Sequence, residues 1–375
     1  MLFQNKWWFI LIAISIIARI ILSPVRTGDY VFFLEPWMDF IKTHGYMHSL
    51  KFNFYNYSPA YIYILIAITK LGLNPLIAVK LVSIFFEYLA AFYIGKIANL
   101  KYKSSSIILA SIAIVPLLPT VLLNSSYLNQ CDSIYAAFCI ISIYYLLTSK
   151  QLLSVLFLGI AFSFKMQTAI ILPFFFVLML RSKIKWYYFG IVPSVYFLSL
   201  VPAWIYGRSI LELLSIYINQ SSNYKDLTLN FPNIYIWLDN SYYETLKISG
   251  LLLTLIVTLL AGWWLSNKKY IFTLENYVKL AFLSAIVIPY ILPGMHERYM
   301  YLGDIIGVLY ILTIRKNYHL PIGIALVSFY SYTRCSRFND ILPMWPAFLI
   351  YTCIIIWASY DFVKSLKNTM NETIE

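Results

Sequence analysis

The sequence predicts an all-α polytopic membrane protein, a bundle of about twelve transmembrane helices plus one short segment, and three observations carry that prediction. Hydrophobic residues make up 61% of the 375 and charged residues only 12%, about half the charged share of a soluble chain. The mean hydropathy is +0.73. The apolar residues arrive in blocks long enough to cross about 30 Å of hydrocarbon as helix, and stretches such as LLLTLIVTLL (251–260) do not alternate as barrel strands do.

The spans run over about 7–25, 75–98, 105–123, 131–148, 151–164, 166–180, 186–206, 246–266, 276–293, 299–314, 320–334 and 341–361. The first has no small-residue cleavage site and is retained as a helix. Segment 59–73 (PAYIYILIAITKLGL) is too short for a full crossing and is expected to be re-entrant or interfacial. Segments 151–164 and 166–180 are also short and call for tilt or local thinning. No polar stretch is long enough for a separate domain, so 1–375 forms one unit. The four cysteines, Cys131, Cys139, Cys335 and Cys353, have no metal-binding spacing and make no disulfide framework.

Net charge of +12 does not indicate nucleic acid, because the basic residues are dispersed over short connections. With the N-terminus cytoplasmic, the inside holds Lys6, Lys101, Lys103, Lys150, Arg181, Lys183, Lys185, Lys268, Lys269, Arg315, Lys316, Lys364 and Lys367, as the positive-inside rule requires. Both termini are then cytoplasmic and the protein lies in the plasma or inner membrane. Arg334 and Arg337 are the outside exceptions, suited to donor phosphate or lipid headgroups.

The outside connections are 26–74, 124–130, a turn at 165, 207–245, 294–298 and 335–340. The first carries apolar residues at 32, 33, 37, 40 and 41, an amphipathic helix suited to the interface; Glu35 and Asp39 lie on its solvated face. The connection 207–245 is long enough to be a loop over a site. The short turns carry Asp132, Lys165, His296, Glu297 and Arg298, all at one depth on one side, where a charge is expected to face a cavity or a partner. Asp29 is placed either to take a proton from a hydroxyl or to cap the helix after it. Arg298, Lys165 and His296 can neutralise a phosphate. Asn129, Gln130 and Gln167 can hydrogen-bond sugar hydroxyls, and Tyr and Trp rings offer flat faces. No Gly-rich phosphate loop, nucleophile elbow or His-Glu-x-x-His occurs. This is a kit for group transfer from a lipid phosphate to a hydroxyl. The competing classes are a lipid-linked sugar transporter, which usually shows repeated halves, and a polysaccharide polymerase or ligase.

Five short motifs in order carry a family resemblance: Gly28-Asp29-Tyr30, Tyr57-Ser58-Pro59, Asn129-Gln130-Cys131-Asp132-Ser133, Lys165-Met166-Gln167 and His296-Glu297-Arg298-Tyr299. Together they resemble the GT-C superfamily of membrane glycosyltransferases. The nearest likeness is to bacterial relatives of the GPI mannosyltransferases and of the glucosyltransferases that use dolichyl-phosphate-glucose. Their motifs often read Gly-Asp, Tyr-Pro-Pro, Gly-Gln-x-Asp-Ser, Lys-Pro-Gln and His-Glu-Arg-Tyr. Ser58, Asn129 and Met166 depart from that pattern and mark a divergent branch. The resemblance implies inverting transfer of a hexose, mannose or glucose, from a polyprenyl-phosphate donor to a glycan or glycolipid acceptor outside the cytoplasm. It implies Asp29 as general base and no metal or other cofactor. The substrate-binding set would be Asn129, Gln130, Asp132, Lys165, Gln167, His296, Glu297, Arg298 and Tyr299, with membrane lipid around the chain and no nucleic-acid partner.

Overall fold

The computed structural model describes residues 6–222, 224–335 and 343–371; Arg337 and most of the connection 335–340 lie outside them. Among the described residues the strands amount to one two-residue ladder, and the rest is helix and connections. From the N-terminus, α1 (Lys6–Leu22) is followed by the first long connection, which holds α2 (Glu35–Thr43) and α3 (Pro59–Lys70). Next come α4 (Pro75–Tyr102), α5 (Ser105–Ile114) and the short α6 (Pro119–Leu122). The hairpin of α7 (Asp132–Leu147) and α8 (Gln151–Phe164) leads into a 3-10 segment, α9 (Leu172–Leu180) and α10 (Ile191–Ile205). The second long connection contains α11 (Ile210–Ser222) and β1 (Thr228–Leu229). After α12 (Tyr243–Leu265) and α13 (Leu274–Ile291), β2 (Met295–His296) pairs in parallel with β1. The chain ends in α14 (Tyr301–Ile314), α15 (His319–Cys335) and α16 (Trp345–Asn371).

Among the described residues, five helices are long and apolar enough to cross a membrane: Pro75–Tyr102, Trp186–Ile205, Asn240–Leu265, Leu274–Ile291 and Trp345–Thr369. A sixth results if Ser105–Leu117 and Pro119–Tyr127, bent by 61°, make one span. The sequence expects a continuous helix over 105–123. The break lies at Leu118, whose ψ of 129° is extended, because the residue before a proline avoids the helical region. The carbonyl of Pro116 loses its helical partner there and accepts instead from Arg19 Nη2 at 2.9 Å. Arg19 also pairs with Glu87 at 2.5 Å and donates to Ser126 at 3.0 Å. The bend is thus pinned by a buried ion pair between α1 and α4.

The other apolar helices are short. At 1.5 Å per residue, the 12 residues of α3 rise about 18 Å, too little for a full crossing. Its start is fixed by Pro59 at the first helical position and by the Ser58 hydroxyl donating to the Ser163 carbonyl at 2.5 Å. In α2, Trp37, Met38 and Ile41 are buried against α3, while Asp39 is exposed and Glu35 pairs with Arg26 at the surface. The expected interfacial helix therefore packs one face on protein.

The connections gather at two ends of the bundle. At one end, Lys101 reaches Glu275 and the Thr313 carbonyl at 2.5 and 3.0 Å. Arg181 donates to the Leu265 carbonyl at 2.7 Å, and the Arg315 guanidinium lies 3.9 Å from the Tyr102 ring. The connections after α4, α9, α12 and α14 therefore meet there. At the opposite end the first connection, the 124–131 turn, residue 165 and the α13–α14 connection converge. Lys80 closes α1 at this end by donating to the carbonyls of Leu22, Ser23 and Val25 at 2.8, 3.0 and 2.8 Å, where α-helical carbonyls lack partners. The flank of α12 presents Leu252, Leu255, Ile256 and Leu259 outward, the surface expected against lipid rather than water.

Candidate active site

Four separate connections bring eight of the ten sequence-predicted residues into one cavity wall. Asp29, Asn129, Gln130, Lys165, Gln167, His296, Arg298 and Tyr299 line it together with Phe33, Trp37, Asn56, Tyr57, Tyr61, Gln220 and Tyr224. The two remaining residues stand behind the wall and are buried, Asp132 bonded to Lys165 and Glu297 3.6 Å from Arg298.

Asp29 does not cap a helix: no backbone N–H bonds to its side chain. Its Oδ2 accepts from Gln130 Nε2 and, at 3.2 Å, from Arg298 Nη1. Both contacts fall on one oxygen, so among the described residues Oδ1 accepts no hydrogen bond. The carboxylate is about one-third exposed, at 34%. Gln130 is itself held by the Tyr57 hydroxyl at 3.2 Å and, through its backbone carbonyl, by Ser83 at 2.8 Å.

Asn129 has φ of +61°. Glycine adopts this left-handed conformation freely, and asparagine is the side chain that best tolerates it. Replacing the Gly of the resembled motif therefore keeps the turn. The Asn129 amide also donates to Thr27 Oγ1 at 2.9 Å, and Thr27 donates to the Leu128 carbonyl at 3.1 Å. These bonds tie the Asp29 segment to the 127–130 turn.

Lys165 is buried, with 4% of its side chain exposed, and bonds Asp132 Oδ1, which is 1% exposed. Asp132 Oδ2 accepts from Asn124 at 2.8 Å and lies 3.9 Å from Arg298 Nε. The Lys165 ammonium also sits 5.5 Å from the Tyr57 ring. Lys165 is thus committed to Asp132. Arg298 is less committed. Its contacts to Asp29 and Glu297 are 3.2 and 3.6 Å, and Nε has no hydrogen-bond partner. Two cations thus face three carboxylates, Asp29, Asp132 and Glu297. Oxygens of Asn56, Asn129 and Gln167 also lack partners. No group of three or more His, Cys, Asp or Glu able to hold a metal occurs among the described residues.

Burial, with Arg298 and Lys165 close by, pushes the His296 imidazole down to about 3. It is therefore neutral at pH 7. A histidine starting from about 6.5 whose folded pKa is depressed resists protonation in the folded state, so stability falls as pH drops below that value. Relative to pH 8, the native protein should lose roughly 2 kcal/mol more at pH 5 than His296→Gln does. Thermal midpoints of both proteins at the two pH values check this; equal losses would show that His296 protonates freely.

The residues that the motifs alone did not single out come from both long connections: Thr27, Asn56 and Trp37 from the first, Gln220 and Tyr224 from the second. Tyr224 lies edge-on to His296 at 5.2 Å. The segment after it is fastened to the α13–α14 connection by Gly294 N–H to the Leu227 carbonyl at 2.8 Å and by Asn233 to the Leu292 carbonyl at 3.0 Å. Arg334 is described and half-buried, and it does not line the cavity. Compared with protein-family models and with curated proteins, the sequence matches none.

Proposed function

We propose that the protein is an integral membrane glycosyltransferase of GT-C type. It transfers a hexose from a polyprenyl-phosphate sugar to a hydroxyl on the extracytoplasmic face, with inversion. The observation that carries this reading is the pairing, in one cavity, of a carboxylate with a hydrogen-bond-free oxygen and a guanidinium 3.2 Å away that is short of partners. A base and an anion holder that close suit displacement of a phosphate by a hydroxyl.

In the proposed step, the acceptor O–H gives its proton to Asp29 Oδ1 while its oxygen attacks the anomeric carbon from the face opposite the phosphate. The bond from that carbon to the phosphate oxygen breaks, and the electron pair leaves with the phosphate. Arg298 turns its N–H groups to the leaving phosphate, where two parallel bonds are strongest, and stabilises the charge that develops. Moving Arg298 off Asp29 also makes the carboxylate a better base. Lys165 holds Asp132 behind the site. Trp37 and Tyr57 offer ring faces, and Asn129, Gln130 and Gln167 offer amides, to the sugar.

In this reading about twelve segments cross, the shorter ones by tilt or in thinned bilayer. The basic end lies in the cytoplasm and Asp29 lies outside. The donor tail lies between helices, and the second long connection covers the site. Purified protein offered a panel of polyprenyl-phosphate sugars with EDTA present should transfer one sugar to a hydroxyl acceptor with inverted anomeric configuration. Donor movement across liposomes without transfer to any acceptor would instead indicate a transporter.

A further inference from the structure

A second cavity adjoins the first and shares Asn56 and Gln220 with it. Its distinctive residue is Arg208, 3% exposed. Gly207, with φ of +102°, ends α10 in a turn that side-chain-bearing residues rarely adopt, and it brings Arg208 under the first connection. There Nη2 donates to Asn53 Oδ1 at 2.6 Å and the guanidinium carbon lies 4.5 Å from the Tyr55 ring. Nη1 and Nε have no hydrogen-bond partner. The nearest carboxylate, Glu212, is 3.7 Å from Nε, and its own side chain is 56% exposed. The stem of Lys51 runs beside Gly207.

A guanidinium carries five N–H donors, and burying it with two nitrogens unbonded is strongly unfavourable. A solvated carboxylate beyond hydrogen-bond range offsets little of that. An oxyanion in the cavity would offset it, with the Asn219 and Gln220 side chains beside it. The first cavity supplies no spare cation for such a group. Lys165 is committed to Asp132, and Arg298 serves the donor phosphate in the transfer reading.

We propose that Arg208 anchors a separate oxyanion subsite that binds a phosphate group carried by the acceptor, whose hydroxyl then lies towards Asp29 in the adjoining cavity. The acceptor is thereby assigned to the phosphorylated glycans or phospholipids and not to neutral sugars. This rests on the transferase reading for the word acceptor; the oxyanion subsite itself does not.

The test uses the full chain in nanodiscs of phosphatidylcholine, with sn-glycerol 3-phosphate as probe and glycerol as control, read by thermal midpoint. The phosphate probe should stabilise the native protein saturably while glycerol does not. Arg208→Gln should weaken the probe's apparent affinity at least 10-fold, both alone and in an Arg298→Gln background where the first cavity has lost its phosphate-holding cation. Glu212→Gln, a change at an exposed side chain, should tighten it several-fold by removing the competing anion. If Arg208→Gln does not fold, Arg208→Lys replaces it and should retain weakened binding. Doping with phosphatidylglycerol separates the sources: competition with the probe identifies a lipid headgroup, and an unchanged probe affinity identifies a soluble phosphate. No probe-dependent shift in the native protein and in Glu212→Gln, or equal affinity in the Arg208 variants, overturns the proposal and makes Arg208 a packing residue. Because the readout is binding, a protein that binds the probe but transfers nothing overturns only the transferase reading.

Discussion

In the proposed reaction, Asp29→Asn is expected to lower sugar transfer about 10²- to 10⁴-fold in kcat, the span that a positioned general base contributes. The substitution keeps the side chain's shape. The new amide oxygen can still accept from Gln130 and Arg298, the two partners that hold the carboxylate. The amide cannot take a proton, so the loss falls on the chemical step and not on donor affinity. Donor binding should be unchanged or slightly tighter, because Arg298 no longer shares its charge with a carboxylate. Side-by-side measurement of turnover and donor Kd separates these effects. Transfer within a few-fold of native would reject Asp29 as the base. Loss of donor binding together with turnover would assign it to binding.

Lys165→Met destabilises the protein by about 3–5 kcal/mol, the usual result of leaving one member of a buried ion pair without its partner. Asp132, 1% exposed, would then keep its Asn124 bond but lose its ammonium. Asp132→Asn should be destabilising for the reciprocal reason. The double variant, with neither charge, should recover much of the loss, and the four thermal midpoints in detergent make the cycle that isolates the pair. Single variants within about 1 kcal/mol of native would show that the pair is solvated. Function should suffer beyond stability. Arg298 Nε is 3.9 Å from Asp132 Oδ2, so a carboxylate without Lys165 draws the guanidinium away from Asp29.

The sequence exposes charges well and geometry poorly. Asp29, Asp132, Lys165 and Arg298 are legible because charged residues are scarce in this chain and these fall at the same end of successive apolar runs. The Asp29 alternatives, base or cap, differ only in where one carboxylate points, which spacing does not encode. Asn129 looks like a defect in a glycine motif until its φ of +61° shows that the turn persists. Arg19 and Glu87 sit inside apolar runs on different helices, and nothing local links them; their 2.5 Å contact depends on how α1 and α4 pack. Gln220 and Tyr224 belong to a polar connection with no motif, and their place at the site follows from the β1–β2 ladder. The bend near Pro119 was readable from Pro116 and Pro119, but hydropathy over 105–123 masks it, since both halves are apolar. The short helices show a further limit: an apolar block marks burial, and burial in protein looks the same as burial in lipid.

The contact between Asp29 and Arg298 joins residues 269 positions apart. At a synthesis rate of about 5–20 residues per second, the nascent chain waits roughly 10–50 s between making the carboxylate and making its cation. Lys165 follows Asp132 by only 33 positions, within seconds. The back of the site is therefore assembled while the ribosome is still working on the middle of the chain, and its front is assembled last. A chain stopped after α13, before Met295, would carry Lys165 paired with Asp132 behind the wall, yet have no guanidinium opposite Asp29. Termination at that point therefore leaves Asp29 without the cation that the proposed reaction assigns to it.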